Sequence, residues 1–161
     1  MMQSKRHAHW MDEALALAVR AKDCGDIPVG AVMVYDGQLL AGAFNTREAQ
    51  HDPLGHAELT VLKEASQSLG RWRLTGCTLY VTLEPCPMCA AALVQARIDR
   101  VVFGAMDPKV GACGTVWNLM HEPRFNHVVE VIAGVEEQRC QTLLSSFFEA
   151  QRQSRRYEAE K

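Results

Sequence analysis

Hydrophobic positions recur at helical spacing in several separate stretches of the chain. The stretches at residues 10–21, 56–69 and 140–148 carry apolar side chains on one side, and residues 85–96 have the same character. Residues 115–121 are compatible with one more helical segment. The pattern therefore predicts helices spread along the whole chain rather than gathered at one end.

Short apolar or alternating runs between these stretches predict five strands. The first two are joined by Asp36-Gly37, a dipeptide typical of a tight hairpin turn. The intervals between the last three strands are long enough for crossover connections, so these strands are predicted to run parallel. The five runs are residues 29–34, 39–43, 77–83, 100–103 and 128–132.

A hairpin followed by strands separated by helices predicts an α/β protein. The expected architecture is a three-layer α/β/α fold, with a five-stranded mixed sheet covered by helices on both faces. The whole chain, residues 1–161, is expected to form a single domain. Residues 151–161 contain arginines and no large aliphatic side chain, so this basic tail is predicted to fray.

Composition and charge narrow the possible functions. Hydrophobic residues make up 48% and charged residues 22% of the 161 residues, values typical of a soluble globular protein. No apolar run predicts a membrane span, and no secretory signal is recognisable, so a cytoplasmic protein is expected. The net charge of −2 means that any contact with nucleic acid must use a local basic patch.

Two predicted helix starts carry metal-capable side chains: His56 and Glu58 at one, Cys86 and Cys89 at the other. Each has an ordinary explanation when taken alone. His56 and Glu58 suit a helix entry, where an acidic residue is stabilised by the helix dipole. The cysteine pair, in Pro-Cys-Pro-Met-Cys, is compatible with a thiol–disulfide redox centre, a metal site or merely buried thiols.

The combination favours zinc. Two thiolates three positions apart at a helix start point to the same side, and His56 offers a third ligand from a second helix start. Three protein ligands leave a fourth tetrahedral position open for water, as in catalytic zinc sites. Glu58 is placed to take a proton from that water, whereas a redox centre has no use for the His-x-Glu element.

His-x-Glu followed by Pro-Cys-x-x-Cys is the signature of zinc-dependent nucleobase deaminases. In that chemistry a zinc-bound hydroxide attacks the carbon that bears the exocyclic amine. Glu58 carries the proton to the amine nitrogen, and ammonia leaves. The motif therefore predicts a hydrolase that acts on an amidine C–N bond.

Nearly the whole chain resembles the bacterial tRNA-specific adenosine deaminases, which convert the wobble adenosine of an arginine tRNA anticodon to inosine. Cytidine, deoxycytidylate and guanine deaminases are similar around the zinc motif but less so over residues 97–114. The resemblance is densest in Ile27-Pro28-Val29-Gly30-Ala31-Val32, His51-Asp52-Pro53, His56-Ala57-Glu58, Thr82-Leu83-Glu84-Pro85-Cys86, Met88-Cys89-Ala90, Arg97-Ile98, Val101-Val102-Phe103-Gly104-Ala105, Asp107, Lys109 and Gly111-Ala112.

The resemblance implies a cytidine-deaminase-like fold, a homodimer, one zinc per subunit and a tRNA anticodon stem-loop as substrate. It implies His56, Cys86 and Cys89 as ligands and Glu58 as the catalytic proton shuttle. No membrane and no other protein partner is implied. The residues it places at the substrate are Val29, Asn45, Ala57 and Glu84 (the last two through main-chain groups), with Asp107 and Lys109 on the loop lining the RNA approach. Phe148 lies on the apolar stripe of the last helix and is expected to line the base pocket if this helix folds back over it.

Thr46, Met106 and Val110 depart from what relatives usually carry, and they lie where RNA contacts are expected. Two alternatives therefore stay open. One is a zinc-dependent deaminase of a free nucleobase, nucleoside or nucleotide, of the cytidine, deoxycytidylate or guanine type. The other is a non-catalytic, zinc-stabilised RNA-binding module.

Other polar and cysteine positions have two interpretations each. Residues 71–73 and the group His121, Arg124, Asn126 and His127 form either RNA-facing patches or solvated loops. Phe147 is expected in the core. The remaining cysteines are predicted to be small buried hydrophobes: Cys24, Cys77, Cys113 and Cys140.

Overall fold

Five strands form one mixed sheet within residues 2–159, the part of the chain that this computed structural model describes. The strands are β1 (Gly30–Tyr35), β2 (Gln38–Phe44), β3 (Cys77–Leu83), β4 (Arg100–Ala105) and β5 (Glu130–Ala133). The helices are α1 (Met2–Asp23), α2 (Arg47–Gln50), α3 (Ala57–Leu69), α4 (Pro87–Gln95) and α5 (Glu137–Ala159), with one 3-10 turn at Leu119–His121.

The predicted opening hairpin and the parallel direction of the last three strands are confirmed. The strand order is β2-β1-β3-β4-β5; β1 runs antiparallel to β2 and β3, whereas β3, β4 and β5 are parallel. Asp36 and Gly37 turn the opening hairpin with φ values of 48° and 73°, the left-handed geometry that two-residue hairpin turns require. The parallel strands bring the carboxyl ends of β3 and β4 to one edge of the sheet, which is where such folds place their sites.

Helices cover both faces of the sheet, as the three-layer prediction required. Helices α1 and α5 pack on the face that carries Val32 and Val102, and α3 and α4 pack on the face that carries Met33 and Val101. Neighbouring strand residues therefore point into opposite layers. At Gly104 a Cβ would collide with the Cys140 sulfur, so helix α5 lies directly against β4. Among the described helices none combines the length and apolar character needed to cross a membrane.

The polar loop predicted at residues 45–55 contains a short helix, α2. The buried carboxylate of Asp26 accepts hydrogen bonds from the backbone N–H groups of Glu48 and Ala49 at 2.8 and 3.3 Å. A side chain 22 positions away in sequence thus satisfies the first turn of this helix. The hydrophobic pattern of residues 45–55 could not predict this helix, because the side chain that stabilises it lies outside the segment.

The helical segment suggested for residues 115–121 is wrong except for its last turn, Leu119–His121. Gly114 has a φ of 133°, and the backbone N–H of Thr115 donates to the carboxylate of Glu84 at 3.1 Å. The next backbone N–H groups, those of Val116 and Trp117, both donate to the carbonyl oxygen of Gly111 at 2.9 and 3.1 Å, so this stretch is held as an irregular loop and not by helical hydrogen bonds.

Helix α5 continues through Ala159 and includes most of the segment for which fraying was predicted; residues 152–159 are exposed and residues 160–161 lie outside the described part. The single-domain organisation and the fraying stay predictions. Three of the four remaining cysteines are buried as predicted, but Cys24 is exposed. It follows the last residue of α1, where the chain turns at the surface.

Candidate metal and catalytic centre

Two helix N-termini meet at the carboxyl end of β3. His56 is the N-cap residue of α3, and Cys86 is the N-cap residue of α4 with Pro87 at its first helical position. Both caps have extended backbone, and neither side chain caps its own helix. Cys89 lies in the first turn of α4, so the three side chains are free to turn toward one another.

The three metal-capable side chains predicted from the sequence converge. His56 Nδ1 lies 3.8 Å from Cys86 Sγ and 3.5 Å from Cys89 Sγ. Among the described residues, these three form the group of metal-capable side chains whose donor atoms all lie within 4.8 Å of one another. Zinc bonds of about 2.3 Å to sulfur and 2.0–2.1 Å to nitrogen, at a tetrahedral angle, put S and N about 3.6 Å apart. The donor set therefore fits a tetrahedral zinc ion.

The electrostatics of the centre suit metal binding. The hydrogen bond from Cys89 lowers the pKa of Cys86 to about 4, and the same bond raises the pKa of Cys89. The hydrogen bond with Cys86 raises the pKa of His56. Without a metal, Cys86 is thus a thiolate that accepts hydrogen bonds from its two neighbours. A metal ion replaces those protons, so metal binding here releases protons.

Glu58 lies in the first turn of α3 and is 4% exposed. Burial raises the pKa of its carboxyl group to about 7. Its Oε2 atom is buried and has no hydrogen-bond partner among the described residues. An unpaired buried carboxyl oxygen is costly, and it points to a ligand that the chain itself does not supply. A pKa near neutrality suits a group that both takes and gives a proton.

A cavity of about 150 Å³ opens over this centre. Asn45 lies in its wall, and its Oδ1 accepts the N–H of Ala57 at 3.0 Å. Because the oxygen is engaged, the amide nitrogen of Asn45 is the group left to contact a substrate. The sequence-predicted residues in the wall are Val29, Asn45, His56, Glu58, Glu84, Cys86 and Asp107.

Four sequence-predicted residues lie outside that wall. Cys89 and Ala57 are fully buried behind it. Lys109 and Phe148 line a neighbouring groove instead. Phe147 is buried in the core as predicted.

The proposed RNA patches lie elsewhere. Arg71 binds the backbone oxygen of Thr75 before β3, and His127 bonds the backbone oxygen of Ile98 before β4. Both segments are thus near the amino ends of the parallel strands, opposite the cavity. Their solvated-loop interpretation and their RNA interpretation both stay open.

Four residues of the cavity wall were not predicted as site residues from the sequence, namely Ile27, Arg47, Leu83 and Val110. Ile27 and Leu83 stand in the runs quoted for the family resemblance, which was the available signal. Arg47 reaches the wall because α2 is formed, and this depends on the distant Asp26. The side-chain role of Glu84 was also missed, because only its main chain was expected to matter.

The comparisons with known proteins agree with this geometry. Residues 4–105 match the family model described as the cytidine and deoxycytidylate deaminase zinc-binding region. The tRNA-specific adenosine deaminase of Bacillus subtilis (strain 168) is 50% identical over 147 residues, covering 91% of each chain. The chain belongs to the tRNA-specific adenosine deaminase family.

Two further matches point to the same family. The tRNA-specific adenosine deaminase of Haemophilus influenzae (strain ATCC 51907 / DSM 11121 / KW20 / Rd) is 43% identical over 92% of this chain and 86% of its own. A chain solved in a study of A-to-I editing by tRNA:A34 deaminases at the wobble position of transfer RNA superposes with a TM-score of 0.82. It is 41% identical and covers 84% of this chain and 99% of its own. The predicted fold class, the enzymatic activity as a deaminase and the zinc cofactor are confirmed.

Proposed function

We propose that the deaminase converts the wobble adenosine of a tRNA anticodon, that of an arginine tRNA, to inosine. The observation that carries this proposal is its kinship with tRNA-specific adenosine deaminases along almost the entire chain. The buried Glu58 beside three metal-capable atoms supports it, because deamination needs a proton carrier next to an activated water. Such a substrate would place the enzyme in the cytoplasm.

His56, Cys86 and Cys89 would hold one zinc ion per subunit, and the zinc would supply a water activated for attack on the carbon that bears the amine. Glu58 would take the proton of that water at its unpartnered Oε2 and deliver it to the leaving nitrogen. In the metal-free protein, burial raises the pKa of Glu58 to about 7, so this carboxyl group can both accept and release a proton near neutral pH.

The base would be held by residues of the cavity wall. Asn45 would donate from its amide nitrogen, and the main-chain groups of Ala57 and Glu84 would meet the base edge. Val29 supplies an apolar wall, and Asp107 lies on the loop that closes the cavity. An anticodon loop suits this arrangement, because its bases are already unpaired and extrusion costs little.

Two grooves lead from the cavity along helix α5 and would carry the RNA. Their volumes are about 560 and 440 Å³, and Ile27 lines both grooves as well as the cavity. Phe148 and Arg152 lie between the two grooves, and Phe148 is 38% exposed and available for stacking on a base. Lys109 lines the larger groove.

The smaller groove gathers positive charge on a chain whose net charge is −2. Arg47, Arg152 and Arg155 line it, with Glu48 as the acidic residue among its lining side chains. Arg47 pairs with Glu48 at 3.3 Å. This is the local basic patch that binding to an RNA backbone needs.

We also propose that the enzyme is a homodimer, as the family resemblance implies. Several large apolar side chains are exposed, among them Leu54, Trp117 and Val128. Sedimentation equilibrium of the zinc-loaded protein is expected to give twice the chain mass of 17.9 kDa, and a monomer at micromolar concentration would contradict the proposal.

The test of function is incubation with an anticodon stem-loop that carries adenosine at the wobble position, alongside free adenosine, cytidine and guanine. Replacement of an amine by an oxygen adds about one dalton, which mass spectrometry of the RNA detects. We expect this gain at the wobble position and no turnover of the free compounds. Turnover of a free compound without the stem-loop would favour the small-molecule alternative. Binding of RNA without ammonia release would favour the non-catalytic one.

A further inference from the structure

One buried carboxylate organises the loop between β4 and the 3-10 turn. Glu84 follows β3 directly and is 2% exposed. Its Oε1 accepts the backbone N–H groups of Cys113 and Thr115 at 3.0 and 3.1 Å. Its Oε2 accepts the N–H of Asp107 at 3.0 Å and the hydroxyl of Thr115. Four hydrogen bonds thus tie residues 107–115 to the end of β3.

The loop is shaped around this carboxylate. A Cβ at Gly111 would collide with the carboxyl group of Glu84, so only glycine lets the backbone pass there. No ion pair with Glu84 is formed within residues 2–159. A buried carboxylate without a cation is stabilised only by aimed N–H and O–H donors. The contact therefore binds the loop strongly in one arrangement.

The same loop forms one side of the catalytic cavity. Asp107 and Val110 stand in the cavity wall, and Lys109 lines the adjoining groove. The Oδ1 of Asp107 accepts the N–H groups of Lys109 and Val110 at 2.9 and 3.2 Å. Glu84 thus holds Asp107, and Asp107 holds the tip of the loop. Displacement of the carboxylate would move the wall without touching the metal-capable atoms.

We propose that the Glu84 side chain is a positioning residue, which fixes the loop of residues 107–115 so that substrate RNA is held over the cavity. The proposal deepens and rests on the proposed function, and it assigns to the side chain a task distinct from the main-chain contact with the base. Glu84 acts through Asp107 and its neighbours and takes no part in proton transfer.

The test is Glu84→Gln in the zinc-loaded protein. The glutamine amide has one acceptor oxygen, and its NH₂ group would face N–H or O–H donors where the second carboxylate oxygen had accepted them. The hydrogen bonds to one of the two oxygen positions are therefore lost. Loss of hydrogen bonds to a charged group at this site should raise the KM for the stem-loop about 10- to 100-fold. We expect kcat to fall far less than KM rises and the zinc content to stay unchanged. Glu64→Gln is the matched control, because Glu64 is exposed on α3 and carries the same charge.

Two further variants keep the test decisive if Glu84→Gln folds poorly. Thr115→Val removes one of the four bonds and leaves Glu84 in place, so it should raise KM by a smaller factor than Glu84→Gln. Thr115→Ser keeps the hydroxyl and should behave like the wild type. The effects of Glu84→Gln and Thr115→Val should be less than additive, because the two residues share a bond.

Hydrogen exchange separates this proposal from the proposed function, because it needs no RNA. In Glu84→Gln the amides on the side that loses its acceptor, either Asp107 or Cys113 with Thr115, should exchange faster. The amide of Gly30, which donates to the hydroxyl of Thr82, should not change. Unchanged exchange at the three loop amides would overturn the proposal, even in an enzyme that deaminates the stem-loop. The proposal would also be overturned if Glu84→Gln lowered kcat without raising KM, and if that fall matched the loss of zinc or of folded protein. A wild type that does not deaminate the stem-loop would overturn the proposed function instead.

Discussion

Glu58 lies inside the protein with one carboxyl oxygen that has no partner in residues 2–159, close to three atoms suited to a metal ion. Two consequences belong to this single residue. Its removal should disable the chemistry and leave the metal site intact, since the donor atoms belong to His56, Cys86 and Cys89. Its burial should also make the free energy of unfolding depend on pH.

Glu58→Ala is expected to keep its zinc and to lose activity by roughly 10²–10⁴-fold or more, the contribution of a general acid–base group. Metal analysis and single-turnover deamination of the stem-loop measure the two properties. Glu64→Ala, an exposed residue of the same helix, serves as the control. Turnover of Glu58→Ala at the wild-type rate would contradict the assigned role.

The pH dependence of stability follows from the raised pKa. In the metal-free protein, burial raises the pKa of Glu58 from its ordinary value of 4.5 to about 7. Between these values the folded chain keeps a proton that the unfolded chain loses. The contribution of Glu58 to the free energy of unfolding therefore falls as pH rises through this interval. We expect Glu58→Gln to gain stability over the wild type from about pH 4.5 to 7, measured by denaturant unfolding without metal. If the free energies of unfolding of the wild type and of Glu58→Gln changed with pH in the same way, the carboxyl group would not be buried as described.

The sequence predicts the reacting residues well, because spacing places each pair on one helical turn and the deaminase signature links the two pairs. Cys86 and Cys89 share one helical turn, and His56 with Glu58 shares another. The side-chain task of Glu84 was not predictable in this way. Its partners lie 23 to 31 positions away in an irregular loop, and no periodicity marks such contacts.

At the scale of elements, the site depends on where helices begin. Helices α3 and α4 start at the carboxyl edge of the sheet, and their N-cap residues are the ones that face the cavity. The strands and long helices were predictable from hydrophobic periodicity. The short helix α2 was not, because Asp26 fixes it from outside the segment.

Asp26→Asn tests that dependence. The amide cannot accept from Ile27, Glu48 and Ala49 as the carboxylate does, so a buried donor or acceptor is left unsatisfied. We expect a loss of about 1–3 kcal/mol in the free energy of unfolding. Activity should also fall, because Arg47 in α2 lines the cavity. Asp23→Asn, exposed at the end of α1, should have little effect on either quantity. Equal effects of the two variants would mean that α2 does not need Asp26.

For the whole molecule, function depends on how charge is distributed rather than on its sum. The net charge of −2 predicts no attraction to RNA, yet the groove beside the cavity carries Arg47, Arg152 and Arg155. The sequence could not reveal this grouping, since residues from α2 and α5 meet only in the folded chain.

Arg152→Gln and Arg155→Gln are expected to weaken stem-loop binding and to flatten its salt dependence. Each lost phosphate contact should reduce the slope of log K against log salt by about 0.7–0.9. Lys63→Gln, exposed on α3 and outside both grooves, is the matched control. Fluorescence anisotropy at several salt concentrations gives the slopes. Slopes that do not differ from that of Lys63→Gln would show that the RNA takes another path.

The account as a whole depends on one metal ion held by an imidazole and two sulfurs. X-ray absorption at the zinc edge of the purified protein measures this directly. We expect about one zinc per chain, with two sulfur neighbours near 2.3 Å and two nitrogen or oxygen neighbours near 2.0–2.1 Å. In Cys89→Ser the sulfur count should fall or the zinc should be lost. A zinc site with four sulfur neighbours, or with none, would contradict the account.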